Sequence, residues 1–451
     1  MPPNTPDDRK SRRCPRRPYG SSCGVGGASN ANLPTTVPII GMGGSSFSNF
    51  YNKPRGSDHA DGAAEDPVHV DLESISPDIP IVQSWIGAIR RAVVDRGVTL
   101  IDTAPWYGHG VSEVVIGYAM DVILPLDPKD RAGDGGNDAG ATITRSDLTI
   151  NTKVGRYEAD RANMFDFSYE RTLTSARRSV DRMRCGYIDV VQLHDPEFSP
   201  SIDVLVAETI PALIRCRKLG LARAIGLTGY PLEVQREILV RSREDPVAGG
   251  GGGDGFVFDQ CLTYCHCNLH DTSLLYGSRS DEVKRDSQPP FADFCFSHGI
   301  ALMAAAPLSM GLLTDAGPPS WHPAHSSLKE ASREAARLCS SMGVELATIS
   351  IIYALSFGRV PCTLLGMKSA DEVDRAVDLA LRFEGINGSN DILPEVLTEK
   401  EQQVLGILLD TNDGPFAKVW KSGEYLWDGK EEANKFWSKL ELSRDAIEKQ
   451  V

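Results

Sequence analysis

The sequence predicts a (β/α)8 barrel, and three observations predict it. Short aliphatic runs recur with little polar alternation, helical patterns lie between most of them, and chemically active residues close successive runs. Strands covered on both faces read as near-continuous apolar runs. A closed parallel sheet wrapped in helices satisfies all three observations, because every strand then ends at one mouth. A doubly wound open sheet is the alternative for the first two.

The candidate strands are residues 37–42, 98–102, 148–153, 187–193, 222–228, 256–260, 300–305 and 360–365. Each is aliphatic or β-branched, which suits a pleated and buried position. The clearest helix is 168–185, where Leu173, Ala176, Val180 and Met183 fall at steps of three, four and three on one face. Similar patterns occupy 81–95, 112–122, 202–219, 232–241, 328–342 and 346–357.

Four stretches read as surface loop insertions: 57–78, 127–147, 248–255 and 278–290. They are too polar or too glycine-rich to fold alone. Residues 1–35, rich in Pro, Gly, Ser and Arg, read as a disordered N-terminal tail, leaving 36–451 as the barrel domain with a C-terminal helical extension.

The chain has 451 residues, is 41% hydrophobic and carries a net charge of −14, which leaves room for a large core. That acidity argues against a broad nucleic-acid face. No run approaches the roughly 18–20 apolar residues of a membrane helix, and the N-terminus lacks the apolar stretch of a secretion signal. Ten scattered cysteines fit reduced thiols, so a cytoplasmic location is expected. The cluster Cys261, Cys265, His266, Cys267 and His270 matches no standard zinc spacing, and no metal is expected.

At the strand ends the residues become specific. The second strand ends at Asp102 and runs on to Tyr107, the third ends at Lys153, and the fourth at His194. Each has a dull explanation on its own, but four such groups at three successive strand ends suit hydride transfer. A carbonyl being reduced needs a proton, and a hydroxyl being oxidised must lose one. A phenol with a free pKa of about 10 needs help to exchange that proton. A nearby Lys lowers the pKa, and an Asp keeps that Lys charged. Asp102 and Asp195 could instead serve a glycosidase, with carboxylates about 5–10 Å apart, but Tyr107 and Lys153 would then have no role.

The motifs DTAPWYG, NTKVGR and LHDPE hold Asp102, Tyr107, Lys153 and His194, and with them the chain resembles the aldo-keto reductase family from about Val37 to Asp378. The resemblance implies a catalytic tetrad of those four residues and a nicotinamide cofactor laid across the mouth. It implies a cofactor contact at Gln260, which would hold the carboxamide, while GMGGSS after the first strand is by itself a partial dinucleotide fingerprint that brings the Gly43 backbone close to a ligand. Pro307, Leu308 and Met310 would wrap the pyrophosphate, and Gly366, Lys368 and Ser369 would hold the adenosine end. The pattern departs at Ala305, where many members have a stacking aromatic, and at Thr228-Gly229, where the family has Ser-Asn.

CLTYCHC and GPPSWHPAH are similar to segments of the branch of L-galactose and D-arabinose dehydrogenases, particularly the fungal D-arabinose type. That implies oxidation of an aldose at C1 to its lactone, with Trp106 and Trp321 lining the sugar pocket. NAD is the expected cofactor and NADP the alternative, because Asp371, Glu372 and Asp374 crowd the place where a 2′-phosphate would bind, while Lys368 and Arg375 oppose them. A generic aldehyde or ketone reductase and a non-catalytic binding barrel are the rival functions.

Overall fold

Eight parallel strands close on themselves in the order β10-β3-β4-β5-β6-β7-β8-β9. They are β3 (Ile40–Gly43), β4 (Leu100–Asp102), β5 (Thr149–Val154), β6 (Ile188–His194), β7 (Ala222–Gly229), β8 (Gln260–Tyr264), β9 (Ala301–Ala305) and β10 (Cys362–Leu365). The computed structural model describes residues 12–19, 32–48, 72–124, 143–158, 164–244, 257–277, 288–318, 322, 324–386 and 394–417.

Alternation along these buried strands sorts the core. Leu100, Val190, Ala224, Leu262, Ala301, Met303, Cys362 and Leu364 form a cluster within the barrel. Their neighbours Ile101, Val191, Ile225, Cys261, Leu302 and Leu365 belong to the larger core beneath the helices. The interior is tight: a Cβ on Gly226 would lie 2.6 Å from the Gln192 side chain, so β7 passes Gln192 only as glycine.

The outer helices follow the expected patterns, with shifts of one or two residues. Helix Tyr169–Met183 is capped by the Ser168 hydroxyl, which accepts the Arg171 N–H. The pattern over 81–95 divides into helix Pro80–Arg90 and a wider π-helical turn, Arg91–Asp95. Helix Ala370–Ala380 is tied to the barrel by Arg96, which is fully buried and pairs with Asp374 and Asp378. Among the described residues, no single helix is long and apolar enough to cross a membrane.

Two expectations are corrected. Part of the segment read as a tail is folded. β1 (Arg16–Pro18) pairs antiparallel with β2 (Thr36–Pro38), and both Arg17 and Tyr19 are buried. Arg17 donates at 2.6 Å to the Leu355 carbonyl, which helix Leu346–Ser356 leaves open at its C-terminal end, and at 3.1 Å to the Val360 carbonyl in the loop that follows. A basic residue in a polar stretch therefore serves as a helix cap. The sixth barrel strand is also displaced: it is Gln260–Tyr264 rather than 256–260. The aromatic and β-branched approach at 257–258 looks like strand, but pairing with β7 begins only at Gln260. Residues 57–71, 127–142, 248–255 and 278–287, most of the expected insertions, lie outside the described residues, as does the chain beyond 417.

Candidate active site

The mouth brings the four expected residues together. Asp102 is the last residue of β4, His194 the last of β6, and Lys153 lies one residue from the end of β5. Tyr107 opens the short turn after β4, which Gly108 and His109 complete with left-handed backbones. Lys153 Nζ donates to the Asp102 carboxylate and, at 2.8 Å, to the Thr103 carbonyl. It also stands 4.7 Å from the centre of the Tyr107 ring. The Tyr107 and His194 rings meet edge to face, 6.2 Å apart.

Burial and charge set the protonation states. Burial opposes the Lys153 charge, but the Asp102 carboxylate and Tyr107 outweigh it and raise the ammonium above its ordinary pKa. Lys153 is therefore a fixed cation. Burial raises the Tyr107 phenol, and Lys153 pulls it back only in part. The expected lowering by Lys153 is present, but desolvation exceeds it in the free protein. Burial lowers His194 to about 3, so its imidazole is neutral. The site thus combines a phenol, a fixed cation beside it and a neutral imidazole facing it.

Beneath the tetrad runs a chain of amides. Gln192 Nε2 donates to Asp102 Oδ2 at 2.6 Å, and Gln260 Nε2 donates to Gln192 Oε1 at 3.2 Å. Gln260 Oε1 in turn accepts from the Tyr19 hydroxyl. This corrects the place given to Gln260: it opens β8 instead of closing it, and its carboxamide is committed inside the barrel, joined to the N-terminal hairpin. Both Gln192 and Gln260 are fully buried.

The remaining expected cofactor positions line one side of the mouth. Gly43 ends β3, Pro307, Leu308 and Met310 follow β9, and Gly366, Lys368 and Ser369 follow β10. These three strands are adjacent. Ala306, Ser309 and Met310 all have left-handed backbones, an unusual density for non-glycine residues. The turn is held from below: Ser309 Oγ pairs with His270 Nε2 at 2.9 Å, and its carbonyl accepts from His322 Nε2 at 3.0 Å. Ser369 caps helix Ala370–Ala380, whose N-terminus favours negative charge. Preformed loop backbone, the exposed Gly366 and this helix end fit a dinucleotide laid from β9 across to β3.

The acidic crowd near Ser369 is smaller than expected. Asp374 is taken by Arg91 and Arg96. Glu372 instead accepts the Lys368 backbone N–H at 2.8 Å, so a carboxylate already occupies that donor.

Trp106 is half-buried beside the site, and one face of its ring carries the Arg156 guanidinium, 4.0 Å from the ring centre. Trp321 lies outside the described residues. The Cys and His cluster is structural in its contacts. His266 bonds Ser273 and the Tyr230 carbonyl, His270 bonds Ser309, and the thiols are buried. Among the described residues, no three His, Cys, Asp or Glu side chains are placed to hold a metal ion. Sequence reasoning missed Arg156, Glu197 and Tyr19; the only local signal was the RYEAD and HDPEF context next to Lys153 and His194.

The chain is 32% identical to L-galactose dehydrogenase of Arabidopsis thaliana over 317 residues, covering 70% of this chain and 84% of that one. It is 29% identical to D-arabinose 1-dehydrogenase of Saccharomyces cerevisiae over 293 residues, covering 64% and 75%. In fold it matches aldo-keto reductase AKR11C1 from Bacillus halodurans with a TM-score of 0.53 and 18% identity, covering 92% of this chain and 100% of that one. The model of the aldo/keto reductase family matches residues 83–384, a span that includes all four residues of the tetrad. The protein is an oxidoreductase that belongs to the aldo/keto reductase family.

Proposed function

We propose that the protein oxidises an aldose at C1 to the aldonolactone, with D-arabinose or L-galactose as substrate and NAD as acceptor. The observation that carries the reading is the closed set of Asp102, Lys153, Tyr107 and His194 at the mouth, in a chain whose relatives include two sugar dehydrogenases. The nicotinamide supplies the hydride acceptor. Tyr107 takes the proton of the C1 hydroxyl as hydride leaves C1, Lys153 stabilises the phenolate that Tyr107 needs, and neutral His194 holds the substrate oxygen. Hydrolysis of the lactone then draws the reaction forward. Glu372 at the Lys368 N–H supports NAD over NADP, because a 2′-phosphate would meet a carboxylate there. Nine free thiols among the described residues suit the reducing cytoplasm as the compartment.

A second reading, reduction of simple aldehydes or ketones, draws on the raised pKa of Tyr107, since a neutral phenol is the proton donor that reduction requires. Measurement of kcat/KM for pentoses and hexoses with NAD and NADP, beside aldehyde reduction, decides between them. Aldose oxidation is expected to dominate. Aldehyde reduction without sugar oxidation would replace the first reading by the second, and turnover of neither would leave a binding barrel.

A further inference from the structure

Next to His194 lies a cluster that proton transfer does not use. Asp195 is 4% exposed and has a left-handed backbone, φ 50°. That conformation is uncommon for a residue with a side chain, although Asp adopts it more readily than most. Its Oδ1 lies 3.7 Å from His194 Nε2, and its Oδ2 accepts from Arg156 at 2.8 Å. Arg156 rests on the Trp106 ring, and its Nε is buried without a partner.

Glu197, two residues further on, accepts the Tyr230 N–H through Oε1 at 3.1 Å, while Oε2 is buried without a partner. Burial and the neighbouring Asp195 charge push its carboxyl well above the usual range, so it keeps its proton and can donate. Space for it exists because residue 229 is glycine: a Cβ there would lie 2.7 Å from Glu197 Oε2. The departure from Ser-Asn at 228–229 thus accompanies a carboxyl group seated beside the site.

We propose that Asp195, Arg156 and Glu197 form a hydroxyl-recognition subsite that selects a neutral, polyhydroxylated substrate and holds it against His194. The inference rests on the aldose reading and gives it a chemical basis. Sugar hydroxyls both donate and accept. This cluster offers a carboxylate that accepts, a guanidinium with an unused N–H, and a carboxylic acid with an unused oxygen. A hydrocarbon chain in the same place would leave those groups unpaired, which is how a hydrogen-bonding site rejects an analogue that lacks the hydroxyl. An anionic substituent would meet the Asp195 charge.

The test compares D-glyceraldehyde with propanal, which differ by two hydroxyls, as reduction substrates of the wild type, Asp195→Asn and Arg156→Gln. Hydrogen bonds to charged groups contribute about 1.5–3 kcal/mol, or roughly 10–100-fold. The wild type is expected to prefer glyceraldehyde in kcat/KM, and each variant to cut that preference by about tenfold or more, mainly through KM. Parallel loss on both substrates would mean that the ion pair only supports the fold, and an unchanged ratio would mean that the cluster does not touch substrate; either result overturns the inference. Aldose oxidation by the wild type, measured in parallel, judges the underlying reading separately. Absence of aldose oxidation with a collapsed ratio would reject the aldose reading and keep the subsite. Sugar oxidation with an unchanged ratio would do the reverse.

Discussion

Tyr19 donates its hydroxyl hydrogen to Oε1 of Gln260, 241 residues away in sequence, and through that amide the N-terminal hairpin reaches the catalytic carboxylate. Each link donates in the same direction, Tyr19 to Gln260, Gln260 to Gln192, Gln192 to Asp102, and aligned links polarise one another. The chain fixes one oxygen of Asp102 and leaves the other to Lys153.

Tyr19→Phe removes the first donor and leaves the Gln260 oxygen buried and unpaired. A buried acceptor without a donor costs about 1–3 kcal/mol. The expected result is a melting temperature lower by several degrees and a kcat lowered less than tenfold. Thermal melting and steady-state rates on the same preparation check it. No change in either would show that the hairpin is dispensable and the amide chain incidental.

Tyr107→Phe should lower kcat by about 10²–10⁴-fold, the usual contribution of a general acid–base group, with nucleotide binding retained. Lys153→Met should act through the phenol. Oxidation uses phenolate, so its rate rises with pH through the Tyr107 pKa. Burial holds that pKa high, and Lys153 pulls against it. Loss of Lys153 therefore moves the alkaline limb to still higher pH. An unmoved limb in the pH profile of kcat would assign Lys153 a purely structural role.

The strands were legible because each is locally consistent: β-branched, apolar and buried on both faces. The tetrad was legible because Asp102, Lys153 and His194 sit at the ends of such runs and Tyr107 lies in the turn after the first of them. Arg17 and Tyr19 were not, since their Pro- and Arg-rich surroundings resemble a tail, and their hydrogen bonds reach Val360 before β10, Gln260 in β8 and the end of helix Leu346–Ser356, far along the chain. The displaced start of β8 has a related cause: Val257 and Phe258 are buried core residues that precede the ladder. The Arg156–Asp195 pair joins neighbouring strand ends 39 residues apart, and no spacing within either motif reveals it.

Acid should destabilise the fold before ordinary carboxylates titrate. Burial lowers His194 to about 3, and His270 and His322 to about 4. Unfolded, each returns to about 6.5. Between these values the unfolded chain binds more protons, so the stability these groups contribute is complete above about pH 6.5 and is lost as pH falls toward 3–4. The melting temperature is expected to fall between about pH 7 and pH 5. A constant value across that window would contradict the neutral, buried state of these rings.

Glu372→Gln should raise the efficiency of NADP relative to NAD severalfold, because the Lys368 N–H loses its carboxylate while the helix N-terminus remains. The ratio of kcat/KM for the two cofactors, at fixed sugar, is the readout. An unchanged ratio would remove Glu372 from cofactor choice.

If this site moves a hydride from C1 of a sugar, an aldose deuterated at C1 carries its label into the cofactor. With D-arabinose or L-galactose labelled there, deuterium is expected in the reduced nicotinamide, with a slowed chemical step and the aldonolactone as product, all lost in Tyr107→Phe. Unlabelled reduced cofactor, or oxidation at another carbon, would contradict it.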